Sequence, residues 1–180
     1  ARDPHGILKE IFKLFLKKGG RFIQEDIQSL SQNNSNQTII KSENKNYEFE
    51  KSIIASGAFS KRFTDQLGEQ IPLDTERGYH VHFKKMDHLI SRPVIFLDRG
   101  FGMTPMNQGL RAVGTVELGG LKNPPSKKRV DYIVNCAKEL LPQLKKHEDE
   151  WLGFRPTLPD FLPILGPSLK NKNIIYAFGH

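Results

Sequence analysis

An arginine and an aspartate stand inside a proline-rich, apolar stretch that runs from Trp151 to Gly166. Prolines fix the backbone φ angle and remove a hydrogen-bond donor, so the stretch is predicted to be a short strand, 151–155, that leads into a rigid loop. The forked donors of a guanidinium held there can bind a carboxylate, which makes Arg155 a candidate for binding a planar anion. The alternative is that Arg155 forms an ion pair with Asp160 that only stabilises the loop.

Other residue patterns that carry chemistry are weak in this sequence. His80 and His82 are two positions apart, but no cysteine or acidic residue stands at ligand spacing, so no metal site is predicted. Neither a Gly-x-Ser-x-Gly nor a Gly-x-Gly-x-x-Gly motif is present. Cys136 is predicted to be an ordinary buried thiol. The residue patterns alone therefore predict one anion-binding arginine and indicate no catalytic acid–base residue.

The composition limits the classes of protein that the chain can belong to. It has 180 residues, 37% of them hydrophobic, and a formal net charge of +7. No apolar run approaches the roughly 20 residues of a membrane span. The lysine doublets are scattered over separate predicted elements, which is typical of solvated surface, so no nucleic acid partner is expected. The charge nevertheless leaves one alternative, a basic, non-catalytic module that binds nucleic acid or a membrane surface.

Two long helices are predicted from the spacing of apolar residues. The first begins with Asp3 as N-cap and Pro4 as its first helical residue, and it is ended by Gly19 and Gly20. The second is capped by Ser126 and is kinked or shortened at Pro142.

Strands are predicted before, between and after these helices. The apolar run 51–56 predicts a buried strand that ends in small residues, which lets another backbone or a ligand come close. Alternating residues and hairpin turns predict an antiparallel meander over 71–118, and 173–178 is a final strand. This order predicts an α+β, or mixed α/β, fold in which helices flank an antiparallel-rich sheet, with two sub-regions that divide near 63–72.

Several stretches together resemble the FAD-dependent amine oxidoreductases of the D-amino-acid oxidase family. The resemblance is strongest to the D-amino-acid dehydrogenases, with glycine and sarcosine oxidases as more distant relatives. The stretches occur in the family's order and are Ser52–Ser60, with Phe59 where the family usually has tryptophan, Pro72–His80, Gly153–Gly166 and Ile174–His180. The family's dinucleotide motif would precede Ala1 and its flavin-covering helix would follow His180, so we expect the chain to be a piece of a longer enzyme.

The resemblance implies a division of the chain into domains. Residues 1–62 would form part of an FAD-binding domain, 63–168 the substrate-binding domain, and 169–180 a return strand of the FAD-binding domain.

The resemblance also implies roles for single residues. Arg155 would hold the carboxylate of the substrate, and Asp160 would orient it or only cap the loop. Tyr79 and Met103 are further candidates for contact with the substrate, although Tyr79 is equally compatible with a place in the core. The residues expected beside the cofactor are Gly57, Ala58, Ser60, Gly179 and His180.

The implied activity is oxidative deamination of an amino acid, D or achiral, by hydride transfer from Cα to FAD. The alternative enzyme is a glycine- or sarcosine-type amine oxidase. The implied electron acceptor is a quinone of the respiratory chain or oxygen. The implied location is the cytoplasm, with peripheral attachment to the inner membrane left open. We expect the 180-residue piece alone not to retain FAD.

Overall fold

A computed structural model describes residues 2–35 and 37–180. The α-helices in this part of the chain are α1 (Pro4–Lys17), α2 (Lys61–Gln66) and α3 (Lys127–Leu140). The strands are β1 (Ile27–Gln32), β2 (Thr38–Ser42), β3 (Asn46–Phe49), β4 (Ser52–Ile54), β5 (Asp74–Lys84), β6 (Val94–Phe96), β7 (Phe101–Met106), β8 (Gly109–Leu118), β9 (Asp149–Thr157), β10 (Ile164–Pro167) and β11 (Ile174–Phe178). They form sheets in the orders β1-β2-β3, β10-β11-β4 and β6-β7-β8-β5-β9. The predicted mixed fold with an antiparallel-rich sheet is confirmed.

The chain divides into two compact units. Unit 1 comprises Ala1–Phe22 and Arg77–Gly153, and unit 2 comprises Ile23–Glu76 and Phe154–His180. These divisions differ from the predicted boundaries at 62/63 and 168/169. The reason is that β5 and β9 each pass from one unit to the other within a strand, and a continuous strand pattern gives no sign of such a division. Which unit serves a cofactor and which a substrate stays a prediction.

The core of unit 1 lies between the five-stranded sheet and α3. Alternate residues of β5 point to the same face of the sheet, and Tyr79, Val81 and Phe83 are each at most 1% exposed. They share one apolar cluster with Ile133 and Ala137 of α3. The predicted alternation of this strand and the predicted apolar face of the helix are therefore both confirmed.

Helix α3 begins and ends close to the predicted positions. Ser126 is its N-cap residue, but the serine side chain makes no capping hydrogen bond. The last turn is closed by a hydrogen bond of 2.9 Å from the Leu141 amide to the Ala137 carbonyl. Pro142 follows and has no N–H to continue the ladder, so the helix is shortened rather than kinked.

Helix α1 forms as predicted but buries none of its residues. Asp3 caps it by accepting a hydrogen bond of 2.8 Å from the Gly6 amide. The apolar side chains of the helix are exposed, for example Leu8 at 62% and Ile11 at 60%. The apolar spacing therefore predicted the helix correctly. No helix in the described part of the chain is long and apolar enough to cross a membrane.

Unit 2 contains the two smaller sheets. Strands β1, β2 and β3 pair in antiparallel fashion, and β2 and β3 form a hairpin. The other sheet combines an antiparallel pair, β10 with β11, and a parallel pair, β11 with β4. The core of this unit includes Ile54, Phe63, Leu158, Ile174 and Phe178.

A buried carboxylate fixes the loop that leads into β11. Glu69, 9% exposed, accepts hydrogen bonds from the Ser168 hydroxyl and from the amides of Leu169 and Lys170. Burial raises the pKa of Glu69, but the hydrogen bonds together lower it by more than burial raises it. The pKa of this carboxyl therefore lies below its ordinary value. The carboxylate therefore orders the start of the last strand.

Gly109→Ala is expected to destabilise unit 1 by about 2–5 kcal/mol, the sum of backbone strain and overpacking. Gly109 has a φ of +133°, and an added Cβ would lie 2.8 Å from the Lys84 Cα and still closer to the Phe83 carbonyl oxygen. Gly78→Ala is the matched control, because an added Cβ there meets no heavy atom within 4 Å. Denaturant unfolding of the two variants measures the difference, and equal stabilities would contradict the expected clash.

Candidate functional site

The parallel strands β4 and β11 bring two predicted groups of residues to one edge of a sheet. The strands run in the same direction, with Ser52 opposite Ile174. Residues 57–60 after β4 and 179–180 after β11 therefore leave the sheet at the same edge. In α/β sheets, ligands bind outside the carboxyl ends of the strands. This edge is the candidate cofactor site of unit 2.

The residues after β4 leave space for a bound group. Gly57 has a φ of +56°, and an added Cβ would meet no heavy atom within 4 Å, so a ligand can approach its backbone. Ala58 is 7% exposed. The Ser60 hydroxyl is fully buried, and its oxygen has no hydrogen-bond partner among the described residues. An unpaired buried hydroxyl is unfavourable, so a polar group bound at this edge would satisfy it.

The turn after β11 requires glycine. Gly179 has a φ of +92°, and an added Cβ would lie 2.8 Å from the Leu158 Cδ1. A larger residue there would have a strained backbone and would displace the end of the Leu158 side chain. His180, the next residue, is exposed.

Arg155 lies on β9 with its side chain 61% exposed. Its Nη1 donates to Glu76 Oε2 over 3.1 Å. The alternative of an ion pair between Arg155 and Asp160 is wrong, because Asp160 Oδ1 accepts a hydrogen bond of 3.1 Å from the Leu162 amide and Arg155 pairs with Glu76. Asp160 is five positions away along a stiff loop, whereas strand pairing brings β5 beside β9. Asp160 therefore caps the loop, and Arg155 is held by a residue of another strand.

Tyr79 and Met103 lie in the core of unit 1, whereas Arg155 belongs to unit 2. Tyr79 is 1% exposed, its hydroxyl donates to Glu117 Oε2 over 2.5 Å, and it accepts from the Ser126 amide over 3.0 Å. Burial and the bond to Glu117 raise the pKa of Tyr79. Met103 is 2% exposed. Contact of either residue with a substrate stays a prediction.

Glu117 also neutralises buried arginine charge. Arg77 is fully buried, and its Nη1 lies 3.5 Å from Glu117 Oε2, close enough for an ion pair but without hydrogen-bond geometry. Arg77 Nη2 donates to the carbonyls of Asn123 and Pro124 over 2.9 and 3.0 Å. The other carboxylate oxygen of Glu117 lies 3.7 Å from Arg129 Nε. One carboxylate thus joins β5, β8 and the start of α3.

A second polar cluster occupies the strands of unit 1. The rings of His80 and Trp151 stack with centroids 4.7 Å apart, and His80 lies 4.9 Å from the His82 ring. Arg111 Nε donates to His82 Nε2 over 3.1 Å, so that nitrogen is unprotonated. Burial, and then the charges of Arg111 and His82, lower the pKa of His80 from 6.5 to about 4. The pKa of His82 is lowered chiefly by burial, then by Arg111.

The pKa of His80 is 6.5 in the unfolded chain and about 4 in the folded one. The free energy of unfolding is therefore expected to fall as the pH decreases through this window. In this window the unfolded chain binds more protons than the folded one, so acidification favours unfolding. Replacement of His80 by Gln removes one titrating group and should flatten the decline. Denaturant unfolding at several pH values measures it, with exposed His88→Gln as the control. An unchanged pH slope in His80→Gln would contradict the assignment.

Sequence reasoning missed Glu76, Arg77 and Glu117 as partners of the predicted site residues. The signal available for Glu76 was alternation, since exposed Asp74 and half-buried Glu76 alternate with buried Thr75 and Arg77 along β5. Nothing local marks Glu117. No group of three or more His, Cys, Asp or Glu residues suited to a metal ion occurs within residues 2–35 and 37–180.

Comparison with known proteins identifies a class of oxidoreductase. A family model described as "DAO: FAD dependent oxidoreductase" matches residues 1–180. The D-amino-acid oxidase of Bradyrhizobium diazoefficiens is 30% identical over 185 residues, which cover 100% of this chain and 44% of that protein. The D-amino acid dehydrogenase of Paramagnetospirillum magneticum is 28% identical, over 99% of this chain and 43% of that protein. The chain thus spans less than half the length of these relatives.

Solved structures share the fold. Glycine oxidase from Geobacillus kaustophilus has a TM-score of 0.78 and 22% identity, over 90% of this chain and 44% of that chain. L-proline dehydrogenase from P. horikoshii has a TM-score of 0.78 and 17% identity, over 91% and 46%. These structural neighbours are oxidoreductases, and they share the mixed fold of this chain. The chain belongs to the DAO family of FAD dependent oxidoreductases, and the resemblance found in the sequence is confirmed.

Proposed function

We propose that these 180 residues are part of an enzyme that oxidatively deaminates an amino acid, with a D-amino acid as the substrate class. Family membership supports the use of FAD, and relatives named D-amino-acid oxidase and D-amino acid dehydrogenase support the substrate class. The observation that carries the proposal is the exposed guanidinium of Arg155, held on a strand by Glu76. A guanidinium in this state is suited to a carboxylate, which every amino acid presents.

The proposed cofactor site is the carboxyl edge of β4 and β11. The open backbone at Gly57 and the unpaired buried hydroxyl of Ser60 fit a cofactor that lies close to the chain. Gly179 and His180 would approach the same cofactor from β11. We propose that the complete protein binds FAD and that the 180 residues alone do not retain it, because they span 44% of the length of the D-amino-acid oxidase relative. A flavin absorbance band that copurifies with the isolated chain would contradict the second statement.

The chemistry assigned to this chain is binding and orientation. FAD, when bound, would supply the acceptor for the hydride equivalent that leaves the substrate Cα. Arg155 would hold the carboxylate of the substrate and so fix which face of Cα is presented. The imino acid that remains reacts with water to give a 2-oxo acid and ammonia. No acid–base residue of this chain is assigned to the transfer.

A glycine- or sarcosine-type amine oxidase is the second candidate. It is supported by the glycine oxidase of Pseudomonas putida, 28% identical over 71% of this chain and 35% of that protein. The two candidates share the carboxylate contact with Arg155 and differ in the substituents on Cα and nitrogen. The electron acceptor, a quinone of the respiratory chain or oxygen, and peripheral attachment to a membrane belong to the proposal as well.

Anaerobic reduction of the flavin in the complete protein tests the proposal. The protein is mixed with D-amino acids, their L-enantiomers, glycine, sarcosine and proline, and the loss of flavin absorbance is followed. Bleaching by D-amino acids alone supports the first candidate, and bleaching by glycine and sarcosine supports the second. If no amino acid or secondary amine bleaches a flavin that dithionite reduces, the proposed function is wrong.

A further inference from the structure

The ion pair between Arg155 and Glu76 is unequal in exposure. The Arg155 side chain is 61% exposed, whereas that of Glu76 is only 19% exposed. Glu76 follows buried Thr75 and precedes fully buried Arg77 on β5, so its backbone is fixed by its neighbours. The glutamate is therefore the more buried member of the pair, and it contacts the more exposed guanidinium from one side.

The contact uses only part of the guanidinium. Arg155 Nη1 donates to Glu76 Oε2 over 3.1 Å, and no other side chain in the described part of the chain shares an ion pair with Arg155. A guanidinium has five N–H donors in a planar fork, so one edge remains open to a second carboxylate. Glu76 and the carboxylate of a substrate can thus bind the same arginine at the same time.

The second carboxylate would meet a site whose net charge is already zero. A lone Arg155 would attract any anion, and most strongly a dianion. With Glu76 on one edge of the guanidinium and the substrate carboxylate on the other, Glu76 repels every further negative charge of the substrate. The partial burial of Glu76 reduces the screening of this repulsion by solvent.

We propose that Glu76 is a specificity-determining residue that orients Arg155 and selects substrates with one carboxylate over substrates with two. The proposal rests on the proposed function, because it needs Arg155 to hold the carboxylate of the substrate. The chemical class that it assigns is amino acids with neutral or cationic side chains, and it assigns acidic amino acids to the rejected class.

Glu76→Gln in the complete, flavin-loaded protein tests the proposal. Glutamine retains the size and the oxygen acceptor for Arg155 but removes the charge. The ratio of kcat/KM for D-glutamine to that for D-glutamate is expected to fall by about tenfold, through the KM of D-glutamate. Binding of the unreactive ligands acetate and malonate, measured by calorimetry, gives the same comparison without turnover. In Glu76→Gln the affinity for malonate is expected to rise about tenfold relative to the affinity for acetate.

Two further variants separate charge from structure. Glu76→Asp keeps the charge and is expected to keep most of the selectivity. Glu139→Gln removes the carboxylate that pairs with Arg99 of unit 1 and is expected to leave the ratio unchanged. If Glu76 had only a structural role, Glu76→Gln would weaken the binding of D-glutamine and D-glutamate equally, and likewise that of acetate and malonate. That result would overturn the proposal. Flavin bleaching by amino acids with an unchanged ratio contradicts the role of Glu76 alone. Absence of bleaching by any amino acid, with no binding of acetate, contradicts the proposed function and this inference together.

Discussion

Arg155→Ala in the complete, flavin-loaded protein is expected to raise the KM for the amino-acid substrate by about 10- to 100-fold, the equivalent of one charge-assisted hydrogen-bonded contact. The guanidinium is 61% exposed and is held from one side by Glu76, so its loss removes a binding group without leaving a cavity. The same change also leaves the carboxylate of Glu76 without its cation, which adds repulsion for an anionic substrate. Both effects act in the same direction.

Steady-state kinetics and anaerobic flavin reduction at increasing substrate concentration measure the effect of Arg155→Ala. Arg99→Ala is the matched control, because Arg99 also pairs with a glutamate, Glu139, over 2.7 Å, but on the surface of unit 1. Its kinetic constants are expected to remain those of the parent. Arg155→Lys keeps the charge but not the planar fork, so an intermediate KM is expected. An unchanged KM in Arg155→Ala would show that the carboxylate binds elsewhere.

Glu117→Ala is expected to lower the free energy of unfolding by about 3–5 kcal/mol, the cost of leaving a buried charge without its partner. Arg77 is fully buried and its Nη1 lies 3.5 Å from Glu117 Oε2. Its other contacts are carbonyl oxygens of Asn123 and Pro124, which carry no full charge. The hydroxyl of Tyr79 would also lose its acceptor, and that loss adds to the effect.

Denaturant unfolding of the complete protein, followed by circular dichroism, measures the effect of Glu117→Ala. Glu139→Ala removes another arginine partner, but the Glu139 side chain is 65% exposed, so the expected loss is below about 1 kcal/mol. The double variant Arg77→Met with Glu117→Ala should recover part of the stability, because the unpaired charge is then absent. A loss at Glu117 no larger than that at Glu139 would show that Arg77 is solvated in solution.

The local elements followed from the sequence because each depends on residues that are close together in the chain. Asp3 and Pro4 fixed the start of α1, and Pro142 set the end of α3. Alternation between Tyr79 and Phe83 gave both the strand β5 and the face that it buries. The strand β1, Ile27–Gln32, did not follow from the sequence. Its polar composition resembles that of a loop, and only its pairing with β2 makes it a strand.

The candidate site followed from the sequence only in part. The position of Arg155 in a stiff, apolar stretch and the small residues after β4 were visible as patterns, and the order of the stretches identified the family. Their partners were not visible. Glu76 stands 79 positions before Arg155, and Glu117 stands 38 positions after Tyr79. Neither pair has a fixed spacing that a motif could record.

The sequence by itself determined the helices and most strands, the mixed fold class and the membership of the DAO family, and it made Arg155 the candidate for binding a carboxylate. Only the tertiary structure decided what holds that arginine, that Tyr79 lies in a core, and that β4 and β11 end at one edge. The physical reason is that the periodicity of a helix or a strand depends on residues only a few positions apart in the chain. Ion pairs and parallel strand neighbours depend instead on which distant segments the packed chain brings side by side.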